Sequence, residues 1–203
     1  MRNIITDERY KSERFGLEQY FTNAYLLPEE TEYSVSPSGG CALTVFRYCH
    51  QEGNGLLFLS KGVLRFDDDM LIEVKRDADY FQYAWLQHRT GEYLICGEDS
   101  QGYSIVDLKS RAIHHFVPEE AYLRGGFSWI KPYASKDGDI LAVEGCYLGQ
   151  PCQVVFYDIS KPLSLPYREI LRLTEYGEII GWKDQRNFEY IDEETGEVRM
   201  VRF

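Results

Sequence analysis

The sequence predicts an all-β domain built from about four antiparallel units, and three observations carry this prediction. Aromatic residues make up 15% of the chain and include 16 tyrosines, and tyrosine packs well on the half-buried surface of a strand. Turn glycines and tryptophans both recur at intervals of 44 to 53 residues, namely Gly39, Gly91 and Gly138, and Trp85, Trp129 and Trp182. Such intervals are typical of repeated units of four short strands.

The repeat divides the chain into three full units and one shorter unit. The full units are predicted at 33–76, 80–117 and 127–174, and the fourth at 178–203 has the three strands Glu178–Lys183, Phe188–Asp192 and Val198–Phe203. All 203 residues are expected to form a single domain.

The segment 1–32 has two possible structures. Its apolar residues fit an edge strand that completes the fourth unit and closes the array, but they also fit one face of a helix. In the second case the array stays open. An open array leaves exposed strand edges, and dimerisation could then close it.

An acidic residue follows the third strand of each of the later units, at Asp107, Asp158 and Asp192. A short carboxylate at this position accepts backbone hydrogen bonds in a tight turn. We therefore expect these acids to shape turns, and we expect the recurring tryptophans to pack between units.

The arrangement resembles the blades of β-propeller repeat proteins of the WD-repeat kind, in a diverged form. The resemblance rests on the Ser36-Pro37-Ser38-Gly39 turn before a second strand and on the aspartate turns before fourth strands, and it covers 33–203. It implies a propeller-like fold and no activity. The usual histidine and Trp-Asp positions are missing. The run Tyr93–Asp99 also resembles an uncharacterised group of small bacterial proteins.

Charge and cysteine usage exclude several kinds of partner and location. The chain has 22 basic and 33 acidic residues, a net charge of −11, which repels nucleic acid and anionic membranes. Five cysteines at irregular spacing do not form a disulfide framework. Charged residues begin the chain, and no apolar run approaches the ~18 residues of a membrane span. We therefore expect a cytoplasmic protein.

The loops that follow second strands are expected to lie on one rim of the array. This rim is predicted to be acidic and aromatic, and its candidate ligand-binding residues are His50, Glu98, Asp99, Tyr103, Glu144, Cys146 and Tyr147. The pattern favours a non-catalytic binding or interaction module for a protein partner or a small ligand. Its acidity would also suit a basic partner.

An alternative function is a hydrolase that uses Glu98 and Glu144. Two carboxylates about 5–9.5 Å apart provide the acid and base of a glycosidase. The sequence contains no nucleophile elbow, phosphate loop or dinucleotide fingerprint, so no catalytic residue and no cofactor are assigned. Cys146 and Cys152 are separated by five residues, a poor zinc spacing, and no metal is expected.

Overall fold

The computed structural model describes residues 1–99 and 101–203, which form four antiparallel sheets. The first sheet contains β1 (Glu32–Val35), β2 (Cys41–Glu52), β3 (Gly55–Phe66) and β4 (Leu71–Arg76). The second contains β5 (Tyr83–His88), β6 (Gly91–Glu98), β7 (Gly102–Asp107) and β8 (Ala112–Phe116). The third contains β9 (Ser128–Ala134), β10 (Ile140–Cys146), β11 (Gln153–Asp158) and β12 (Arg168–Leu173). The fourth contains β13 (Glu178–Trp182), β14 (Asn187–Ile191) and β15 (Val198–Arg202). The predicted all-β fold is confirmed.

Each sheet is a meander in which neighbouring strands follow one another along the chain. The turns have the predicted chemistry. Gly39 and Gly138 adopt positive φ angles of 82° and 73°, which glycine tolerates without a steric cost. The acids at the ends of β11 and β14, the third strand of the third sheet and the second of the fourth, accept backbone N–H groups: Asp158 from Ser160 at 3.1 Å, and Asp192 from Thr195 at 2.9 Å.

The sheets pack face to face, because alternate residues of a strand point to opposite sides. Leu94 of β6 faces the first sheet, whereas its neighbour Ile95 faces the third sheet. In the same way, Ala142 of β10 faces the fourth sheet and Val143 faces the second. The middle sheets are therefore buried on both faces, which explains their nearly continuous apolar runs.

The tryptophans lie between units. Trp129 is buried between the second and third sheets. Trp85 donates its Nε1–H to Ser34 of the first sheet at 2.9 Å, and Trp182 donates to the Tyr133 carbonyl of the third sheet at 2.8 Å. The repeated tryptophan thus joins each sheet to the one before it.

The array is open. In the part of the chain that the structure describes, hydrophobic clusters join the first sheet to the second, the second to the third and the third to the fourth, and none joins the fourth to the first. The four sheets are compatible with a propeller-like arrangement, but none closes.

The segment 1–32 contacts the first and second sheets and adds no strand to the fourth. It forms helix α1 (Glu8–Leu17) and three-residue 3₁₀ turns at Glu18–Tyr20 and Pro28–Glu30. The Leu27 N–H donates to the Arg47 carbonyl at 2.8 Å, and the Ile4 N–H donates to the Val117 carbonyl at 2.9 Å. Of the two expected structures, the open one is found, because the apolar side chains of this segment are buried beside β8 and β2. No helix among the described residues is long and apolar enough to cross a membrane.

Candidate functional site

A cleft of about 280 Å³ lies between the second and third sheets. Seven of its fifteen lining residues are aromatic, namely Tyr103, Phe116, Phe127, Trp129, Tyr147, Tyr157 and Tyr167, and the others are Met1, Gln101, Pro118, Glu120, Gly125, Gly126, Pro166 and Glu169. Tyr103 lies between Trp129 and Tyr167, with ring centroids 4.8 and 5.2 Å away and ring planes within 15° of parallel. Three stacked rings therefore form a rigid apolar wall.

The two tyrosine hydroxyls of this wall form hydrogen bonds within the protein. The Tyr167 N–H donates to the Tyr103 hydroxyl oxygen at 2.9 Å, and the Tyr167 hydroxyl donates to the Pro162 carbonyl at 2.7 Å. Burial raises the pKa of Tyr103 above its ordinary value. Neither phenol is an acid or base near neutral pH, so this wall offers shape and apolar surface.

Gly126 shapes one side of the cleft, in the connection that leads into β9. Its N–H donates to the Gln101 side chain at 2.8 Å. A Cβ atom at this position would lie 2.5 Å from the same Gln101 oxygen. A residue with a side chain would have to displace the Gln101 amide that accepts this hydrogen bond.

Two carboxylates border the cleft. Glu169 accepts two hydrogen bonds from Arg172, at 3.0 and 2.6 Å, and this contact raises the pKa of Arg172. The same guanidinium lies over the Tyr147 ring, 5.4 Å from its centroid. Glu120 is exposed and forms no ion pair with any residue that the structure describes. The cleft thus has one compensated carboxylate and one that is open to a ligand.

The cleft includes two of the seven candidate rim residues, Tyr103 and Tyr147. Both were predicted as ligand-binding positions. The other five, His50, Glu98, Asp99, Glu144 and Cys146, lie elsewhere. The rim that the sequence predicted is therefore divided among several sites.

Glu98 and Asp99 belong to a buried polar cluster between α1 and the first two sheets. Asp99 accepts hydrogen bonds from the Tyr10 hydroxyl and from Arg14, and both donors are on α1. The Asp99 carbonyl accepts two hydrogen bonds from Arg76, at 3.1 and 2.7 Å. Burial raises the pKa of Asp99 to about 6 and lowers the pKa of Arg76 to about 10.

Glu98 contacts Ser104 and His115, a set of residue types that resembles a hydrolase triad. The Ser104 hydroxyl and the Glu98 carboxylate both approach Nδ1 of His115. A proton relay needs the serine and the acid on opposite ring nitrogens. Ser104 is also fully buried. The group therefore has neither the order of contacts nor the access that acyl transfer requires.

Glu98 and Glu144 do not share a site. Glu98 and Cys96 are two residues apart on β6, so their side chains lie on the same face of the second sheet, the face that packs on the first sheet. Glu144 and Ala142 are two residues apart on β10, so their side chains lie on the same face of the third sheet, the face that packs on the fourth sheet. Both sheets thus stand between the two carboxylates, and the geometry does not support the paired acid and base of the hydrolase hypothesis.

The remaining rim residues occupy separate places. Glu144 accepts a hydrogen bond from the Tyr176 hydroxyl at 3.1 Å. Cys146 lies beside Cys152, whose pKa is raised by burial and then by this neighbour. His50 is on the first sheet, where it stacks on Tyr20 with a centroid distance of 4.6 Å. Within residues 1–99 and 101–203, no three His, Cys, Asp or Glu side chains are grouped to hold a metal ion.

A wider groove of about 490 Å³ runs along the inner strands of the array. It has two basic residues: Arg47 is held by Glu30 at 3.1 Å and Glu32 at 2.8 Å, whereas Lys131 is exposed and lies over the Tyr133 ring. The aromatic cleft is more enclosed and has stacked rings in its lining, so it is the better candidate site.

Sequence reasoning did not select Glu120, Glu169, Tyr157 or Tyr167 as site residues. The sequence feature that could have indicated this site is a pair of tyrosines, Tyr157 and Tyr167, on either side of the last turn of the third unit. The repeat alone placed both residues in strands, without showing that the neighbouring sheet leaves a cleft beside them.

Comparison with known proteins gives little information on activity. No family model matches the chain. A stretch of 145 residues is 32% identical to uncharacterized protein R762 of Acanthamoeba polyphaga mimivirus. This stretch is 70% of the present chain and 56% of the viral protein, so the match spans little more than half of that relative's length.

Proposed function

We propose that this protein is a non-catalytic binding module, and that the cleft between its second and third sheets takes a small organic cation or a basic side chain of a partner. The observation that carries the proposal is the aromatic wall of Tyr103, Trp129 and Tyr167 beside the unpaired carboxylate of Glu120. Ligand sites commonly combine an apolar lining with a few polar groups that fix orientation.

The shape of the cleft suits a ligand with an apolar body and a charged end. Lysine and arginine side chains lay their methylene groups on apolar surface and keep the charged group at a polar edge. The net charge of −11 attracts such ligands over a longer range.

The choice of a binding role over catalysis rests on the lining. The residues that line the cleft include no serine, cysteine, histidine or lysine. Of its two glutamates, Glu169 is held by Arg172 and Glu120 is exposed, so neither is a buried carboxylate of the kind that serves as a catalytic acid. The propeller-like packing supports a diverged WD-repeat-like architecture, and such platforms without catalytic motifs often bind partners. The charge and the five unpaired thiols support a cytoplasmic location.

Calorimetric titration with Nα-acetyl-trimethyllysine amide and with Nα-acetyl-lysine amide tests the proposal. We expect saturable binding of at least one probe, and no binding of Nα-acetyl-norleucine amide, which has the methylene groups without the charge. Glu120→Gln should weaken binding about fivefold, the effect of ~1 kcal/mol from one exposed charge pair. Glu29→Gln is the matched control, because Glu29 is an exposed carboxylate outside the cleft.

Two results would overturn the proposal. One is a wild-type protein that binds neither cation. The other is equal weakening by Glu120→Gln and Glu29→Gln, which would show a general charge effect instead of a site. Turnover of a glycoside panel that is lost in Glu120→Gln would replace the binding function with an enzymatic one.

A further inference from the structure

The outer edge of the fourth sheet has an open strand position. Each of the other three sheets has four strands, whereas the fourth ends at β15. Among the described residues, none pairs with the side of β15 that faces away from β14. The edge strand therefore has a row of free backbone groups.

Two backbone hydrogen bonds show which groups these are. The Phe203 N–H donates to the Arg186 carbonyl at 3.0 Å, and the Asp192 N–H donates to the Glu197 carbonyl at 2.9 Å. Residues 197 and 203 thus direct their backbone groups toward β14, as do 199 and 201. The alternate residues Val198, Met200 and Arg202 direct theirs toward the open side.

The outer strands of the first and second sheets are covered by the N-terminal segment. Arg14 donates to the Lys75 carbonyl of β4 at 2.8 Å, and Asn3 donates to the His115 carbonyl of β8 at 2.8 Å. The segment that could have completed the fourth sheet is thus held on the other half of the molecule.

Apolar surface faces the open position. Leu171 of β12 pairs with Phe156, and the Phe156 ring packs on Phe188 of the fourth sheet with a centroid distance of 5.1 Å. The strand β12 is bulged next to this pair, and Leu171 remains 40% exposed. Val201 of β15 and Phe203 after it pack on the same cluster and are only partly buried. A fourth strand beside β15 would extend the apolar face that these two residues form.

The charge of β15 selects the kind of strand. The strand carries Arg199 and Arg202 and no acid, in a chain whose net charge is −11. Arg202 is exposed and pairs with no acid that the structure describes, while Arg199 contacts Asp192 at 3.0 Å. An acidic residue directly opposite Arg202 stabilises a ladder, and a basic residue destabilises it. A second copy joined through β15 would bring two more arginines and no acid to the edge.

We propose that the outer edge of β15 binds an extended segment of a partner protein that alternates apolar and acidic residues. The segment adds a fourth strand to the fourth sheet, in the mode known as β-augmentation. Its backbone pairs with Val198, Met200 and Arg202, its apolar side chains extend the face of Val201 and Phe203, and its carboxylates lie on the opposite face beside Arg202.

A short synthetic peptide that alternates valine and glutamate is the probe, and fluorescence anisotropy measures its binding. Met200→Pro removes the outward backbone N–H of residue 200. The N–H groups that pair with β14 belong to other residues and stay in place, and proline is tolerated on edge strands. Met200→Ala removes the same side chain and keeps the N–H. We expect Met200→Pro to weaken binding about tenfold and Met200→Ala to weaken it less than about threefold. Arg202→Glu should also weaken binding, and hydrogen exchange should show protection of the Met200 and Arg202 amides.

Three results would overturn the proposal. Equal binding of the Met200→Pro and Met200→Ala proteins would show that the backbone edge is not used. Equal binding of a valine–lysine peptide would remove the charge argument. Self-association that Met200→Pro abolishes would identify a second copy as the occupant. If Met200→Pro alters the fold by circular dichroism, a valine–glutamate peptide methylated on alternate backbone nitrogens replaces it, and unchanged binding of that peptide refutes strand addition.

Discussion

Arg14 of helix α1 donates to the carboxylate of Asp99, which stands at the end of β6. Their side chains are only 18% and 10% exposed. The helix buries a single residue, Tyr10, and that residue also donates to Asp99. Most helices of globular proteins are held by an apolar stripe. The attachment of α1 combines the apolar contacts of Tyr10 with polar contacts to Asp99 and to the Lys75 carbonyl.

The first prediction concerns the loss of the arginine. Arg14→Met should destabilise the protein by ~3 kcal/mol at pH 7, because it leaves the Asp99 charge buried without its partner. Lys11→Met is the control, since Lys11 pairs, among the described residues, only with the exposed Glu8 on the surface of α1, and it should cost less than ~0.5 kcal/mol. Urea unfolding measures both values. Equal costs would show that the buried pair contributes nothing beyond a surface pair.

The second prediction is a pH dependence that Asp99 provides. Burial raises the pKa of Asp99 from 3.8 to about 6, against the opposing effect of Arg14. The folded protein therefore binds a proton more tightly than the unfolded chain. The resulting stability is fully present below about pH 4 and is lost as the pH rises through about 6.

The wild type should thus gain up to ~3 kcal/mol relative to Asp99→Asn as the pH falls from 7 to 4. The comparison with Asp99→Asn removes the contributions of other carboxylates, because these titrate in both proteins. Urea unfolding at several pH values gives the difference. A difference that stays constant, or that has the opposite sign, would contradict the raised pKa.

Much of the fold could be predicted from the sequence because local patterns specify it. Turn residues such as Gly138 and Asp158 fix where strands end, and the strand alternation of Leu94 and Ile95 fixes which side faces each neighbour. The location of segment 1–32 could not be predicted in this way. It depends on long-range contacts, such as Asp99 with Tyr10 and Arg14.

The candidate site was harder to predict for a related reason. Tyr103 and Tyr147 were predicted on the rim, and both line the cleft. Glu98 and Asp99 are on the same rim in sequence, but Asp99 is bonded by α1, and Glu98 is buried beside Ser104 and His115. A repeat shows which loops share an edge, but it does not show which of them a separate segment covers.

The third prediction concerns Gly97, which lies next to a buried guanidinium. A Cβ atom at Gly97 would lie 2.6 Å from the Arg76 Cζ. The guanidinium cannot move away, because it donates to the Asp99 and Tyr80 carbonyls. Gly97→Ala should therefore destabilise the protein by ~2–3 kcal/mol, as overpacking of a core does.

Gly40→Ala is the matched control for this substitution. Its nearest atom would be 3.8 Å from the new Cβ, an ordinary contact, and the change should cost less than ~1 kcal/mol. Thermal unfolding measures both variants. The effect of Arg76→Met on the free energy of unfolding is compared in the wild type and in Gly97→Ala. If Arg76→Met has the same effect in both proteins, the clash with Arg76 is not the cause.

The fourth prediction is the order in which the cysteines react. The thiolate is the reactive form, so both access and pKa control the rate. Cys152 is exposed, while Cys41 and Cys96 are buried. Burial raises the pKa of Cys41 to about 11 and raises the pKa of Cys96 as well. Iodoacetamide labelling followed by mass spectrometry should modify Cys152 first, and should modify Cys41 and Cys96 only in denaturant. Cys152→Ser should remove the fastest phase. Labelling of Cys96 in the native protein at the rate of Cys152 would contradict this order. It would show that the interface between the first and second sheets opens to solvent. The raised pKa of Asp99, which follows from burial, would then lose its physical cause.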